Sequence, residues 1–434
     1  MATSHVSNSK RLINIGNAKK MKKLIALSVA ASLAAVSTAE VLDRPTGVKV
    51  GQRMTLRPYV SMSVSYDSNV GGTQSSSVSK GDVLWNINPG LGIDYKAEQW
   101  ALLLNLFYTY HAYTKHENVN THNQHSYGET LRWNWSDSKG VEKGWSVMLS
   151  ETFRQITMTD DIALGDGSGY SADRRNLTFN AAAQRRFSER WHGDVNGSYY
   201  MMEYDNDMGS SRRSAMYGWQ RWTVGAEAGF VPSRWTDIIG AVGYQGYIQD
   251  NVENSRYSRD SQGYTAQVGL GSYATERISY RALAGWSRFE YANNAASADG
   301  FVYTLSGNWK IDDTLQTMLM ATSYYQPSER EYASKSRVDS VSWGIGKSLI
   351  RSKLRTTLDM TYRHDTHESL NAGAVDYSLD VATARLGFNY TLNRFLVGFV
   401  YGEYQRSMNS ERERKRSYGD YERWRVTMGL RLTY

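Results

Sequence analysis

The sequence predicts an all-β fold, a transmembrane antiparallel up-and-down β-barrel of about 18 strands. Apolar and polar residues alternate along most of the chain, short and long connections alternate between these segments, and the last segment ends on an aromatic residue, Tyr434. Alternation with a period of two is the pattern of a strand that has one apolar face. In a membrane barrel the apolar face meets lipid and the polar face meets a wet lumen.

The first residues have the layout of a secretory signal. Residues 21–23 open a basic stretch, 24–36 form an apolar run, and small residues follow. This is the order of regions in a cleavable signal peptide, and the apolar run is shorter than the ~20 residues that a membrane-spanning helix needs. We therefore assign 1–39 to an N-terminal extension and cleavable signal peptide, 40–57 to a short periplasmic N-terminal segment, and 58–434 to an outer-membrane β-barrel.

The charge of the chain excludes nucleic acid as a partner. The formal net charge is +7, but six basic residues and no acid lie in 1–39, which leaves about +1 for the remainder. A near-neutral chain lacks the basic surface that binds phosphates. The chain has no cysteine, so disulfides, zinc–thiolate sites and thiol catalysis are excluded together, and we expect no cofactor.

The final strand shows the alternation most clearly. From residue 423 onward, arginine, threonine and glycine occupy one face and apolar residues occupy the other. A terminal aromatic residue preceded by alternating apolar positions resembles the outer-membrane insertion signal, for which the partner is the barrel-insertion machinery. The predicted signal, which also contacts outer-membrane lipid, consists of Trp424, Val426, Met428, Leu430, Leu432 and Tyr434.

The connections between the alternating segments follow a regular order. Eight are short, for example near 188–190 and 312–314, and nine are longer and polar, for example near 159–173 and 205–216, which gives 18 strands. Single-chain outer-membrane barrels have short periplasmic turns and long extracellular loops. We therefore expect an outer-membrane location with both termini in the periplasm.

Soluble β-folds fit the pattern less well. Alternation continues over most of 58–434 without a helical interlude, which is too long for one sandwich, and no blade-length repeat indicates a propeller. A closed barrel also satisfies every backbone group and leaves no strand edge, which is how strands cross lipid.

The first predicted strand carries a family-like motif. Residues 57–60 read Arg-Pro-Tyr-Val, and the motif Tyr66, Asp67, Ser68 and Asn69 follows. This resembles the first strand of the putative β-barrel porin 2 family, whose members show a similar element where strand one leaves the membrane. The resemblance implies a Gram-negative outer-membrane barrel. Because some members are linked to exopolysaccharide export, it also implies periplasmic polysaccharide export components as partners.

Arginine predominates on the predicted inner face. An 18-strand barrel is wide enough for an aqueous channel. The candidate residues for contact with a substrate in the lumen are Arg221, Arg281, Arg355, Arg363, Arg385, Arg423, Arg425 and Arg431. The acids predicted on the same face are Asp94, Asp194, Glu227 and Asp359. The excess of arginine favours anionic solutes or an acidic polymer; alternatively, the arginines pair with these acids or lie at the rim.

Two functions follow from these patterns. The first is an outer-membrane channel that passes solutes or exported polysaccharide through an Arg-biased lumen. The second is a surface-exposed binding or structural barrel with a plugged lumen, whose long loops, such as the charged loop at 407–418, contact partners.

Catalytic and metal sites are not predicted. His192 and Asp194 share a face, but neighbours two residues apart do not make a triad and no nucleophile accompanies them. Asp205, Asp207 and Gly209 match the first half of a calcium loop without its closing glutamate. We therefore expect neither an enzyme nor a resident metal.

Overall fold

A computed structural model describes most of the chain. The described residues are 47–69, 81–114, 123–137, 144–158, 172–204, 218–233, 235–249, 260–272, 277–291, 297–327, 335–350, 353–368, 377–409 and 421–434. The predicted signal peptide, 1–39, lies outside them, as do the calcium-loop-like residues at 205–209 and most of the charged loop at 407–418. In this part of the chain, no helix is long and apolar enough to cross a membrane.

Within the described residues, 19 strands form one antiparallel sheet. In chain order they are β1 (Val48–Val50), β2 (Met54–Asp67), β3 (Asp82–Lys96), β4 (Trp100–Tyr113), β5 (Asn123–Ser136), β6 (Trp145–Met158), β7 (Ala172–Arg186), β8 (Trp191–Tyr204), β9 (Trp219–Ser233), β10 (Thr236–Gln249), β11 (Ser261–Gly271), β12 (Ile278–Tyr291), β13 (Ala298–Lys310), β14 (Leu315–Pro327), β15 (Lys335–Leu349), β16 (Leu354–Glu368), β17 (Tyr377–Thr391), β18 (Leu396–Asn409) and β19 (Tyr421–Thr433). From β2 onward each strand pairs with the next, and β19 pairs with β2. These 18 strands close into a barrel, which confirms the predicted fold class.

The barrel has a short-turn end and a long-loop end. The links 97–99, 187–190 and 311–314 each join two consecutive strands at the short-turn end. The connections at the other end are longer and lie largely outside the described residues. The start of β2 and the end of β19 both lie at the short-turn end, since these strands are antiparallel and pair as far as Thr433 and Tyr59.

Short polar side chains build the tight turns. The Oδ1 atom of Asp312 accepts hydrogen bonds from the Thr314 hydroxyl at 2.7 Å and from the backbone N–H groups of Thr314 at 2.6 Å and Leu315 at 2.8 Å. These three bonds hold the pKa of the Asp312 carboxyl below its usual range, and the bond from the Thr314 hydroxyl contributes most. In the β17–β18 turn, Asn393 Oδ1 accepts from the N–H of Leu396 at 3.0 Å. Asp and Asn thus satisfy N–H groups that the sheet ladder leaves open.

Contacts between non-neighbouring strands identify the inner face. Glu227 on β9 accepts a hydrogen bond of 2.7 Å from Arg281 on β12, and His192 on β8 lies 2.8 Å from Asp237 on β10. Side chains can skip strands in this way only on the concave side of a curved sheet. The opposite face exposes large apolar side chains, among them Met62, Trp85, Val195, Val268, Trp286, Phe301 and Leu305. Inner and outer residues alternate along each strand, as the period of two predicts.

The final strand turns its predicted insertion signal to the outside. Its exposed apolar residues are Trp424, Val426, Met428, Leu430, Leu432 and Tyr434. They continue the outer row of β2 in register, with Met428 opposite Val64 and Leu430 opposite Met62. This row is therefore placed to contact lipid; its recognition by the insertion machinery stays a prediction.

Two acids interrupt the apolar outer face of β5 and β6. Glu129 lies opposite Phe153, and Glu151 lies opposite Leu131 on one side and Phe179 on the other. Alternation places both carboxyl groups on the same outer face, at diagonal positions of neighbouring strands. The register passes through Glu151 without a shift, so the acid itself interrupts the apolar outer pattern.

The barrel starts earlier than the sequence predicts. Because β2 begins at Met54, the predicted boundary between 57 and 58 falls inside the strand. Pro58 suggests a strand start because proline cannot donate to a ladder. Its carbonyl still accepts a hydrogen bond of 3.1 Å from the N–H of Tyr434. β19 pairs with β2 only as far as Tyr59. Closer to the start of β2, β1 pairs along the same edge with Met54 through Leu56.

Candidate functional site

A charged cluster closes the barrel at its long-loop end. Asp67, the last residue of β2, is completely buried. The Nε atom of Arg423 lies 2.9 Å from each of its carboxylate oxygens, and the Arg423 Nη2 atom donates to Oδ2. Arg425 donates to the same Oδ2 through Nη2 at 2.8 Å and Nε at 3.1 Å. We call Asp67, Arg423 and Arg425 the seam cluster; it joins the first and last barrel strands by charge-assisted hydrogen bonds.

The other residues of the family-like motif also bind β19. The rings of Tyr66 and Trp424 lie 4.9 Å apart on the outer face. Ser68 donates its N–H to the Trp424 carbonyl at 3.0 Å, and the Ser68 hydroxyl accepts from the Trp424 N–H at 2.9 Å. The Asn69 N–H donates to Asp67 Oδ1 at 3.0 Å, and Asn69 Nδ2 donates to the Glu422 carbonyl at 3.1 Å. The motif is therefore part of the closing seam.

A row of alternating charge leaves the seam cluster along the inner wall. Directly opposed residues on β2, β19, β18, β17 and β16 are Asp67, Arg425, Glu403, Arg385 and Asp359. Directly opposed side chains lie about 5 Å apart at Cβ, so each arginine of this charge row is flanked by two acids. Arg385 also places its guanidinium 4.9 Å from the centre of the Tyr401 ring.

The remaining candidate arginines differ in their surroundings. Arg363 donates through Nε to Asp365 at 2.6 Å. Arg221 lies 5.9 Å from the ring centre of Trp219. Arg355 is buried between the opposed residues Ser348 and Asn389. Arg431 is exposed near the short-turn end, and no ion pair involves it among the described residues.

Acids gather on the inner wall of β8, β9 and β10. Asp194 lies directly opposite Glu227, and Asp237 lies one residue into β10. We call these three residues the acidic group. Arg281 reaches Glu227 from β12 with two hydrogen bonds, of which the Nη1–Oε1 bond is 2.7 Å. Arg281 therefore pairs with one acid of the group, Glu227.

A glycine allows His192 to reach the acidic group. His192 Nε2 lies 2.8 Å from Asp237 Oδ2, and both side chains are buried. Gly229 lies between them on β9, where an added Cβ would come within 2.0 Å of His192 Nε2. Only the missing side chain of Gly229 leaves room for the imidazole, so the pair depends on glycine at this position.

The structure brings most of the eight predicted arginines to acids. Arg281, Arg363, Arg423 and Arg425 make ion pairs, and Arg385 lies between two acids. The alternative interpretation, in which the inner arginines pair with acids, therefore applies to these five arginines. Arg221, Arg355 and Arg431 make no ion pair with the described residues. Contact of any arginine with a substrate stays a prediction.

Five inner acids are missing from the sequence prediction. They are Asp67, Asp82, Asp237, Asp365 and Glu403. Each has the parity of the inner face on its strand, so the period of two could have found them. In the sequence Asp67 belongs to the motif and Asp365 to the start of a loop, while Asp237 and Glu403 lie on segments whose two faces are mixed in composition.

The described residues hold no group of three or more His, Cys, Asp or Glu arranged to bind a metal ion. His192 and Asp237 form a buried pair.

Several solved structures are similar to this one. The FrpB iron transporter of Neisseria meningitidis (F5-1 variant, apoprotein) matches with a TM-score of 0.47 and 7% identity over 89% of this chain and 82% of that chain. A point mutant of the ferric enterobactin receptor PfeA of Pseudomonas aeruginosa matches with a TM-score of 0.44 and 6% identity over 87% and 80%. The outer membrane protein opdK of the same species matches with 0.43 and 10% over 87% and 99%.

The sequence itself gives the family. No curated protein matches it. The model of the family described as "putative beta-barrel porin 2" matches residues 44–434, which is nearly the whole of the chain after the predicted signal peptide. The chain is therefore an outer-membrane β-barrel that belongs to the putative β-barrel porin 2 family.

Proposed function

We propose that this protein is an outer-membrane channel that passes solutes or exported polysaccharide through an Arg-biased lumen. One observation carries the proposal: the inner wall of a closed 18-strand barrel presents exposed Arg431 without an ion-pair partner among the described residues. Barrels of 16–18 strands are wide enough for an aqueous channel. An unpaired guanidinium on that wall attracts carboxylate, sulfate or phosphate groups.

The proposal includes an orientation. The short-turn end faces the periplasm, as in other single-chain barrels of the outer membrane, so both chain termini lie there. Asp313, in the exposed β13–β14 turn, offers a test because the chain has no cysteine. An Asp313→Cys variant on intact cells should react with an impermeant maleimide only after the outer membrane is opened. Reaction on intact cells would reverse the orientation.

Conductance tests the channel itself. The purified full chain in a planar bilayer should give discrete current steps, and a KCl gradient should give a reversal potential that favours chloride. Arg431→Gln should reduce that preference. Lys347→Gln is the matched control, because Lys347 lies near the same end on the outer face. Absence of current from the unmodified protein would reject the channel.

Polysaccharide export is a finer proposal, with periplasmic export components as partners. It is supported by the family to which the chain belongs and by the inner arginines, which suit acidic sugars. An acidic oligosaccharide added on the short-turn side should interrupt the current more often than a neutral one of equal length. Equal interruption by both would remove the support for an acidic polymer.

The alternative, a plugged surface-binding barrel, has no specific support among the described residues. Its main argument is the charged loop at 407–418, of which 410–418 lie outside them. A run of charge in a loop is ordinarily solvated surface. The conductance measurement separates the two functions, because a plugged barrel carries no current.

A further inference from the structure

The acidic group and the arginine-rich strands lie on opposite sides of the barrel. In the closed ring formed by β2 to β19, eight strands lie between β9 and β18 in either direction. A ring of 18 strands places such a pair on opposite walls. The acidic group is centred on β9, whereas six of the eight candidate arginines lie on β16 to β19.

The two walls carry opposite net charge. The described inner side chains of β8 to β10 include three acids, Asp194, Glu227 and Asp237, against one arginine, Arg221. Those of β16 to β19 include six arginines against three acids; the acids are Asp359, Asp365 and Glu403. Counting Asp67 of β2 against the arginines leaves this wall at +2, and counting Arg281, which reaches Glu227 from β12, against the acids leaves the wall of β8 to β10 at −1.

The opposite charges also lie at the same height along the barrel axis. Asp237 and Arg355 are each the second residue of a strand that starts at the short-turn end. Asp194 lies near the start of β8, and Arg431 lies two residues before the end of β19, both at that end. At the short-turn end of the lumen, acids therefore lie on one wall and arginines lie on the opposite wall.

Distance keeps the two walls electrically separate. A strand spacing of about 4.8 Å and a tilt of ~40° give an 18-strand barrel a backbone diameter of roughly 35 Å. The Debye length is about 8 Å at physiological ionic strength. A small ion near one wall is therefore attracted or repelled by that wall and is screened from the other.

We propose that the lumen holds two separate charged paths, one on β8 to β10 that attracts cationic groups such as ammonium, and one on β16 to β19 that attracts anionic groups. This inference rests on the proposed channel function and refines its solute class. A solute that carries both kinds of group, such as a zwitterionic saccharide, can use both paths at once, which an evenly Arg-lined lumen would not allow.

Charged blockers distinguish two paths from one. The purified full chain in a planar bilayer is tested with spermine, a polyamine, and with tripolyphosphate, a polyanion. Asp194→Asn should weaken spermine block by roughly threefold and leave tripolyphosphate block within error. Arg431→Gln should do the reverse. Both effects should fade in 1 M salt, where the Debye length is about 3 Å.

The control is Glu290→Gln, which removes an acid from the outer face near the long-loop end; it should change neither block. If each inner variant changes block by spermine and block by tripolyphosphate equally, the lumen acts as a single electric field and the two-path inference is wrong. The channel function is not affected by that result. If spermine fails to block the unmodified protein, the cationic path is likewise rejected. Absence of any current instead rejects the channel function itself.

Discussion

The seam between β19 and β2 is held differently at its two ends. At the long-loop end, Asp67 is completely buried and takes hydrogen bonds from Arg423 and Arg425. At the short-turn end, the Tyr434 N–H donates to the Pro58 carbonyl at 3.1 Å, and no charged side chain takes part in that bond. Arg431, near this end, remains exposed.

This difference shows that the role of an arginine on β19 depends on its position along the strand. Arg423, Arg425 and Arg431 share the inner face of β19. The first two neutralise a buried acid and close the barrel, so their charge is largely committed. The third faces the lumen without an ion-pair partner among the described residues, so its charge is available to a solute. Four predictions test this comparison.

The largest effect is expected from Asp67→Asn. The change removes the buried carboxylate that both Arg423 and Arg425 bind, and removing one partner of a buried ion pair costs about 3–5 kcal/mol. The folded barrel should unfold at lower urea concentration and lose its heat-modifiable mobility on gels at lower temperature. Asp313→Asn, in an exposed turn, is the control. A stable Asp67→Asn barrel would show that the seam cluster does not secure closure.

A matched pair of arginine variants separates the two roles. Arg423→Gln should lower the free energy of unfolding by about 1.5–3 kcal/mol, the range for a hydrogen bond to a charged group. Arg431→Gln should change it by less than about 0.5 kcal/mol, as is usual for an exposed substitution. Urea titration of both proteins measures this. Equal losses would mean that Arg431 is also a structural residue.

The short-turn end can be weakened through β1. Gly47 has a φ of 63°, and a Cβ there would lie 2.6 Å from the Leu56 carbonyl oxygen. Gly47→Ala should therefore detach β1 from β2, at a cost of about 1 kcal/mol or more. Protease cleavage before β2 should become faster. Gly51→Ala is the control, because Gly51 has a similar φ of 68° but no atom within 4 Å of an added Cβ; equal cleavage of both variants would assign the effect to φ alone.

The smallest effect is expected at the edge of the seam. Ser68→Ala removes the hydroxyl that accepts the Trp424 N–H at 2.9 Å. Because this site is exposed, water can replace the hydroxyl, and the free energy of local opening at Trp424 should fall by about 0.5–1 kcal/mol. Hydrogen exchange of the Trp424 amide should speed up without a change in global stability. A large loss of global stability would show that Ser68 also belongs to the seam cluster.

Much of the wall could be predicted from sequence, and particular residues show why. The outer placement of Trp424 and Met428 follows from the period of two, which needs no knowledge of neighbouring strands. The strand number follows from the turns, because Asp312 and Asn393 mark them by local hydrogen bonds. The structure begins β2 at Met54, before Pro58, because a residue that lacks an N–H can still accept a hydrogen bond through its carbonyl.

The pairing of charges could not be predicted in the same way. Asp67 and Arg423 are 356 residues apart in the chain, and only the closing register brings them together. Arg281 and Glu227 lie on strands that are not neighbours, so their contact depends on the curvature of the wall. His192 reaches Asp237 only because Gly229 leaves space between them.

The sequence by itself determined the barrel, its strand number, the lipid-facing row of the last strand and the family, because turn chemistry and alternation are local. Only the tertiary structure decided which arginines are committed to acids and which face the lumen. The physical reason is that the face of a residue depends on its own strand, whereas its charge partner depends on register, closure and curvature, which the whole ring sets together.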